Sequence, residues 1–317
     1  MVIRPNRTRR LSTMMNRIGG TMKSANIKTD HTISPLPQMA PDISRVVSLT
    51  ENDRDEVVSF LNIRPVHTVV MASFIHDNGI ESDLNRGAFY GYRNAAGDLE
   101  GVALIGHSTL IEARSENAMA AFAKRAKSNR TAINLIMSEH DAALIFWQYY
   151  AGEAKPRLQF TELLFETGFP MLVQDCGWDV RLAQAEELEP IAEAHAEVTF
   201  IESGKDPLAT DREGFLRRVA RRIEMGRTYV VFEEGRLIFK ADVIAEADGI
   251  VYLEGVYVAE EFRGQGIGSK CLSKVNRMLL EKGEKVCLLS NERFTHAHRS
   301  FQKAGYRITG RCTTLFV

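Results

Sequence analysis

The sequence predicts an α/β (α+β) protein built from two halves that repeat one order of elements. Two patterns carry that expectation. Over residues 177–317, strands rich in β-branched and aromatic residues alternate with amphipathic helical segments around a glycine-rich turn. Over residues 46–176, the same order of helix, helix, three strands, helix, strand and helix recurs at similar length, which reads as an internal duplication. Composition agrees: 317 residues with 44% hydrophobic and 26% charged content suit a soluble globular chain of two ordinary domains.

Residues 1–45 stand apart as a basic extension, expected to be disordered, with eight Lys/Arg against two Asp/Glu. They lack the apolar core of a secretory signal; an Arg-rich, acid-poor start also suits an organellar transit peptide, and Met14, Met15 and Met22 are alternative starts. In the first half, helices are expected over Glu51–Asn62 and Val66–Asp77, and a strand over Ala88–Tyr92. The turn Asn94–Asp98 leads to a strand over Leu99–Ile105, then a short strand at 109–112. A helix at 116–126, a strand at 132–137 and a helix at 139–149 complete it, and Phe160–Gln174 reads as linker and closing strand. In the second half, a helix runs from Glu186 to Phe200, and another opens at Thr210-Asp211-Arg212-Glu213, a capping-box pattern. Strands at 228–234 and 236–245 meet at Glu234-Gly235, and Asp248-Gly249 turns the chain into the strand 250–258. Helix 267–279, strand 285–291, helix 295–304 and a last strand to Val317 follow.

The informative stretch is Arg263-Gly264-Gln265-Gly266-Ile267-Gly268, between the strand ending at Val258 and the helix carrying Ile267, Cys271, Leu272, Val275, Met278 and Leu279 on one face. Glycines there let backbone N–H groups close on a ligand, and a helix N-terminus with unpartnered N–H groups seats a phosphate anion. Arg263 adds a fixed cationic fork. A triphosphate P-loop needs Gly-Lys-Ser/Thr, whereas Ser269-Lys270 follow the last glycine in the opposite order. The dinucleotide pattern G-x-G-x-x-G is also unmet, since the glycines are evenly spaced. Arg-x-x-Gly-x-Gly, read as Arg263, Gly266 and Gly268 behind Val256-x-Val258, resembles the acetyl-CoA site of the GNAT superfamily of N-acetyltransferases.

The resemblance covers residues 177–317 and implies two tandem GNAT-like domains, each a mixed, mostly antiparallel sheet flanked by helices. It divides the chain into the extension 1–45, a degenerate domain 46–176 and an acetyltransferase domain 177–317. It implies an acetyl-CoA-dependent transfer to a primary amine, on a small molecule or peptide, by direct attack in a ternary complex. Cosubstrate contacts then fall on Val256, Val258, Arg263, Gly264, Gln265, Gly266, Ile267, Gly268, Ser269 and Asn291. Members commonly carry Asn-x-x-Ala-x-x-x-Tyr on the last helix, and here that frame reads Phe294, Ala297 and Phe301, followed by Gly305-Tyr306. Phe301 cannot protonate a departing thiolate, although a thiol of pKa about 8.5 leaves without much help.

Glu254 is the candidate base, expected to share a strand face with Tyr252, Val256 and Val258; its alternative is a carboxylate paired with Lys240. Glu202 is the second candidate, placed in the loop after the first helix, with a solvated loop acid as its alternative. Lys240 and Asp242 read as a surface ion pair. In the first half, the turn Ile111-Glu112-Ala113-Arg114-Ser115-Glu116 has no glycine and two acids, so no CoA site is expected there.

Residues 46–317 carry 32 basic and 39 acidic residues, a poor nucleic-acid binder. No apolar run approaches a membrane span. Cys176, Cys271, Cys287 and Cys312 lack Cys-x-x-Cys spacing and read as free thiols in a reducing, cytoplasmic setting. The eight histidines form no metal pattern, since His296 and His298 point to opposite sides of a helix, and no metal is expected. A non-catalytic protein that senses CoA or acyl-CoA is the rival expectation. Phosphoryl transfer is disfavoured by the missing Lys-Ser/Thr.

Overall fold

The computed structural model describes residues 41–129, 132–171 and 174–317, so the expected disorder of the basic extension lies, up to residue 40, outside the described residues. The first half comprises β1 (Val46–Ser48), α1 (Arg54–Leu61), α2 (Pro65–Asn78), β2 (Gly87–Arg93), β3 (Leu99–Gly106), β4 (Ser108–Ala113), α3 (Glu116–Ser128), β5 (Leu135–Glu139), α4 (His140–Ala151) and β6 (Leu158–Gly168). The second comprises β7 (Arg181–Leu182), α5 (Leu188–Ser203), α6 (Pro207–Thr210), α7 (Arg212–Glu224), β8 (Thr228–Glu233), β9 (Arg236–Ala247), β10 (Ile250–Val258), α8 (Ile267–Leu280), β11 (Lys285–Asn291), α9 (Thr295–Lys303) and β12 (Arg307–Phe316).

All twelve strands form one sheet in the order β1-β2-β3-β4-β5-β12-β6-β11-β10-β9-β8-β7. Read inward from either edge, the two halves present corresponding strands. Only β4–β5 and β10–β11 pair in parallel, and helices α3 and α8 make those two crossovers. The innermost strands are exchanged. β6, expected to close its own half, pairs with β11 from Glu162↔Asn291 through Gly168↔Lys285, while β12 pairs with β5. The two then pair with each other from Phe316↔Leu158 to Arg307↔Glu166, which binds the halves into one ladder.

The second half's core lies on both faces of this sheet. On one face α8 and α9 pack Ile267, Leu272, Val275 and Phe301 against Phe165, Val251, Leu253 and Leu288. On the other, α5 and α7 bury Ile191, Phe215 and Val219 against Val230. Beside them α2 of the first half sets Val69 against Ala245, Ile250 and Tyr252. The expected capping box at Thr210 is not formed. Asp211 is the N-cap and its Oδ1 accepts from Gly214 N at 2.9 Å, while Thr210 Oγ1 donates back to Asp206 O at 2.8 Å, closing α6.

Candidate active site

The β10–β11 ladder ends at Leu253↔Leu288, and beyond it the strands part. The resulting cleft, about 410 Å³, runs between Val256–Val258 and Arg263 on one wall and Leu289, Ser290, Phe294 and Phe301 on the other, with Glu197 and Glu202 of α5 above. Its outer end meets the glycine turn. Gly264 and Gly266 both sit at φ +79°, a left-handed conformation that glycine adopts without strain, and no neighbour lies within 4 Å of where a Cβ would be. Gly268 is different: an added Cβ would stand 3.1 Å from Val258 Cγ2, so its role is close packing of helix on strand.

Gly266 is the N-cap of α8 and offers no side-chain cap. Lys270 N donates to Gly266 O at 3.2 Å, so the N–H groups of Ile267, Gly268 and Ser269 precede the first intrahelical bond. Their dipole end faces open space fit for a pyrophosphate. The Ser269 hydroxyl does not join them. It is buried, donating to Gly266 O at 3.0 Å and to Gln174 Oε1 at 3.4 Å. Gln265 Nε2 donates to Glu261 O at 3.0 Å. Arg263 stands at the mouth, its Nε donating to Val258 O at 2.8 Å and its Nη2 to Glu197 Oε1 at 3.1 Å. Asn291 is outside the cleft lining: its Oδ1 accepts from Arg293 N at 3.0 Å and its carbonyl meets His298 Nε2 at 3.0 Å.

Three carboxylates gather at the inner end. Glu254 lies beyond the end of the β10–β11 ladder, and Tyr252 Oη donates to its Oε1 at 2.8 Å. A bulge follows, with Glu254 opposite Asp242 but Tyr257 opposite Lys240, so one extra residue of β10 enters the ladder. The bulge reverses the alternation. Glu254 and Tyr252 share a face as expected, but Val256 and Val258 pack on the opposite face with the α8 core, which corrects the shared face read from the sequence. Glu202 belongs to the last turn of α5, not a loop; Gly204 at φ +72° ends that helix. The third, Glu162, comes from β6, aligned with Asn291 and Cys312, and accepts a hydrogen bond from Thr314 Oγ1. Nothing in the second half's sequence could point to it.

Cleft water touches Glu254 and Glu202, yet protein surrounds the cleft wall closely, and its low polarisability disfavours charge. Burial, then repulsion from Glu254 and Glu162, pushes the Glu202 carboxyl up to about 8. Burial and the Glu254 charge push Glu162 up to about 7, against the Thr314 hydrogen bond. Glu254 also rises, through burial, opposed by the Tyr252 hydroxyl and the Arg222 charge. Each of the three therefore holds its proton more tightly than a free carboxyl does.

Beneath them lies a buried ionic network that corrects the surface pair expected of Lys240 and Asp242. The Lys240 side chain is fully buried, and its Nζ donates to Asp242 Oδ2 at 2.5 Å and to Gly255 O at 3.0 Å. Asp242 also accepts from Thr228 Oγ1 at 2.9 Å and from Arg222 Nη1 at 3.3 Å. Burial opposes the Asp242 charge, but Lys240 and Arg222 outweigh it and hold the carboxyl well below the usual range. His195, stacked on Phe215, is pushed down to about 4 by burial and is neutral at pH 7. Lys240 is thus paired with Asp242, not Glu254.

Among the described residues no group of three or more His, Cys, Asp or Glu side chains is arranged to hold a metal ion, and no helix is long and apolar enough to cross a membrane.

Residues 224–308, which include the glycine turn and the parting strands, match the model of the acetyltransferase (GNAT) domain. A 33-residue stretch is 58% identical to the thialysine N-ε-acetyltransferases of Bos taurus and Sus scrofa, spanning 10% of this chain and 19% of each of those proteins. The fold is similar to that of a Drosophila protein (TM-score 0.65, 12% identity, 86% of this chain and 98% of that one). It is also similar to a GNAT-family acetyltransferase from Colwellia psychrerythraea (TM-score 0.53, 12% identity, with the same coverage). A third likeness is to a tandem GNAT protein from the clavulanic acid biosynthesis pathway (TM-score 0.50, 13% identity, 86% and 98% covered). The chain carries a GNAT acetyltransferase domain.

Proposed function

We propose that this protein is an acetyl-CoA-dependent N-acetyltransferase, its active centre in a second GNAT domain (177–317) and its first domain (46–176) a copy that has lost the CoA site. The observation that carries this reading is the parting of β10 and β11 into a cleft with an uncapped helix N-terminus at one end and the carboxylates of Glu202 and Glu254 at the other. Acetyl-CoA supplies an activated acetyl thioester. The open seat at Gly264 and Gly266 fits its pyrophosphate, with Arg263 beside it and the backbone of Val256–Val258 along the pantetheine arm.

The amine nitrogen of the acceptor attacks the thioester carbonyl carbon. A C–N bond forms, the C–S bond breaks, and its electron pair leaves with sulfur. Glu254 takes the proton released by nitrogen; burial raises its affinity for a proton, which suits that task. The Val256 N–H is the donor for charge gathering on the carbonyl oxygen, a contact worth about 100- to 1,000-fold in rate. Phe301 packs edge-on to Phe165 and Tyr306 and is 7% exposed, so the thiolate takes its proton from water. The acceptor is a primary amine on a small molecule or a peptide, and the thialysine-acetylating relatives point the same way.

One observation favours a second reading. Phe301 offers no proton donor where GNAT enzymes commonly carry tyrosine, which also suits a CoA-sensing protein without catalysis. Purified protein incubated with acetyl-CoA and a panel of diamines, amino acids and lysine-containing peptides separates the two. Thiol release dependent on one amine supports the transferase; tight CoA binding without release across the panel supports the sensor.

A further inference from the structure

At Gly255 β10, already parted from β11 after Leu253, also falls out of step with β9. This glycine sits at φ +58° in the bulge, and no residue of β9 or β11 is aligned with Gly255 or Val256. Two successive residues are therefore out of register with the ladder just where the cleft opens. A contact from below holds the first of them. Lys240 Nζ donates 3.0 Å to the Gly255 carbonyl while anchored 2.5 Å from Asp242 Oδ2, itself held by Thr228 and Arg222. The space around the tether is full: a Cβ on Gly255 would stand 2.9 Å from Lys240 Nζ, 3.0 Å from Asp242 Oδ2 and 3.2 Å from His195 Nδ1.

The peptide group is planar and trans, so the Gly255 carbonyl and the Val256 N–H lie in one plane and point in opposite directions. Fixing one end fixes the other. Taking the acetyl-transfer reading as its premise, we propose that Lys240 is a positioning residue: by tethering the Gly255 carbonyl it aims the Val256 N–H across the cleft at the thioester oxygen. A cation on the carbonyl end also polarises the peptide and strengthens its N–H as a donor. The burial of a lysine here is costly, and a hydrophobic replacement of a buried ion pair is often no less stable. The network is thus explained by what it aims rather than by what it stabilises.

The test compares the full-length chain with Lys240→Met and with Lys240→Met/Asp242→Asn, the latter removing both charges so that no unpaired carboxylate is left to unfold the site. The probe is acetyl-CoA carrying ¹³C at the thioester carbonyl, read by infrared difference spectroscopy, with calorimetric affinity and a pH–turnover profile alongside. The expected result is a carbonyl stretch displaced to lower wavenumber on binding to the wild-type protein and restored to its free position in both variants. Turnover should fall about 10- to 100-fold, the loss of much of one oxyanion donor, with affinity for acetyl-CoA within about twofold. The pH midpoint should be unchanged in the double variant, since Lys240 and Asp242 act on Glu254 in opposite directions. Variants that keep the wild-type displacement and turnover overturn the assignment. So does a shifted pH midpoint with the carbonyl band unmoved, which would mean that Lys240 acts on Glu254. Wild-type protein that fails to bind acetyl-CoA would remove the transferase reading itself, and this proposal with it.

Discussion

The same strand parting occurs twice in this molecule, and only one copy is open. In the second half β10 and β11 separate after Leu253↔Leu288 and leave about 410 Å³. In the first half β4 and β5 separate after Leu110↔Met137, and α2 covers the gap, leaving a cavity of about 40 Å³ that also reaches Leu164, Tyr252 and Leu289. There Arg64, the N-cap of α2, bridges Glu112 Oε1 at 3.2 Å and Glu139 Oε2 at 2.8 Å. The helix termini differ in the same sense. Ser115 Oγ accepts from Ala118 N at 3.3 Å and Glu116 sits in the first turn of α3, so that N-terminus is satisfied by its own side chains. The Gly266 end of α8 has no such cap. A GNAT-like topology therefore makes the opening available, and local chemistry decides whether it takes an anion or is filled from within.

The comparison is broken most directly at the chemistry. Glu254→Gln should lower turnover by about 100- to 10,000-fold, the usual worth of a positioned acid or base, and leave acetyl-CoA affinity nearly unchanged. The loss should narrow as pH rises and more amine is free without help. Steady-state rates between pH 6 and 10 decide it, and full activity of the variant at pH 7 would transfer the proton to Glu202 or water.

Next in size is the anion seat. Gly266→Ala and Gly266→Glu share the strain of a side chain at φ +79°, about 1 kcal/mol, so stability should drop similarly in both. Only the glutamate adds a charge where the pyrophosphate sits, and it should weaken acetyl-CoA binding by about 100-fold more than alanine does, by the size of a like-charge repulsion at a binding interface. Equal affinities in calorimetry would place the pyrophosphate elsewhere.

These residues were the legible part. Glycines at a strand-to-helix switch, β-branched strands and a one-faced helix all lie within one short stretch of chain, so local physics marks them. Gly204 after Glu202-Ser203 was also a legible helix stop, and it places Glu202 at the end of α5 rather than in a loop. The rest depends on long-range pairing. Glu162 reaches the site only because β6 crosses into the second half, 92 residues ahead of Glu254 in the chain. The burial of Lys240 and Asp242 follows from α5 and α7 covering β9, and an alternating polar pair in a strand reads equally well as an exposed face. One bulge at Gly255 was enough to reverse the face on which Val256 and Val258 lie.

The closed half offers the third test. Arg64→Ala leaves the Glu112 carboxylate, only 11% exposed, without its cation. The protein should lose about 1–3 kcal/mol, read from denaturant unfolding, as expected when a buried charged hydrogen bond loses one partner. It should not gain a second site, because two carboxylates and a self-capped helix remain. Calorimetry should return one equivalent of acetyl-CoA per chain for wild type and variant alike, and two equivalents in either would end the account of a filled first cleft.

The smallest expected effect bears on the carboxylate that crosses between the halves. Glu162 has a folded-state pKa of about 7 against roughly 4.3 for an unfolded glutamate. Between those values the folded protein holds a proton that the unfolded chain has lost, so this group's contribution to stability is fully present below pH 4 and is lost as pH rises through 7. A glutamine at this position is neutral at every pH. Glu162→Gln should therefore match wild type in thermal unfolding at pH 4, where both side chains are uncharged. At pH 8.5 it should melt higher by about 2–4 °C, the shift that roughly 1 kcal/mol produces in a chain of this size. A variant no more stable at pH 8.5 than wild type would mean that Glu162 is ionised without penalty, through a cation or solvent that reaches it, and that the inner end of the cleft is wetter than its lining implies.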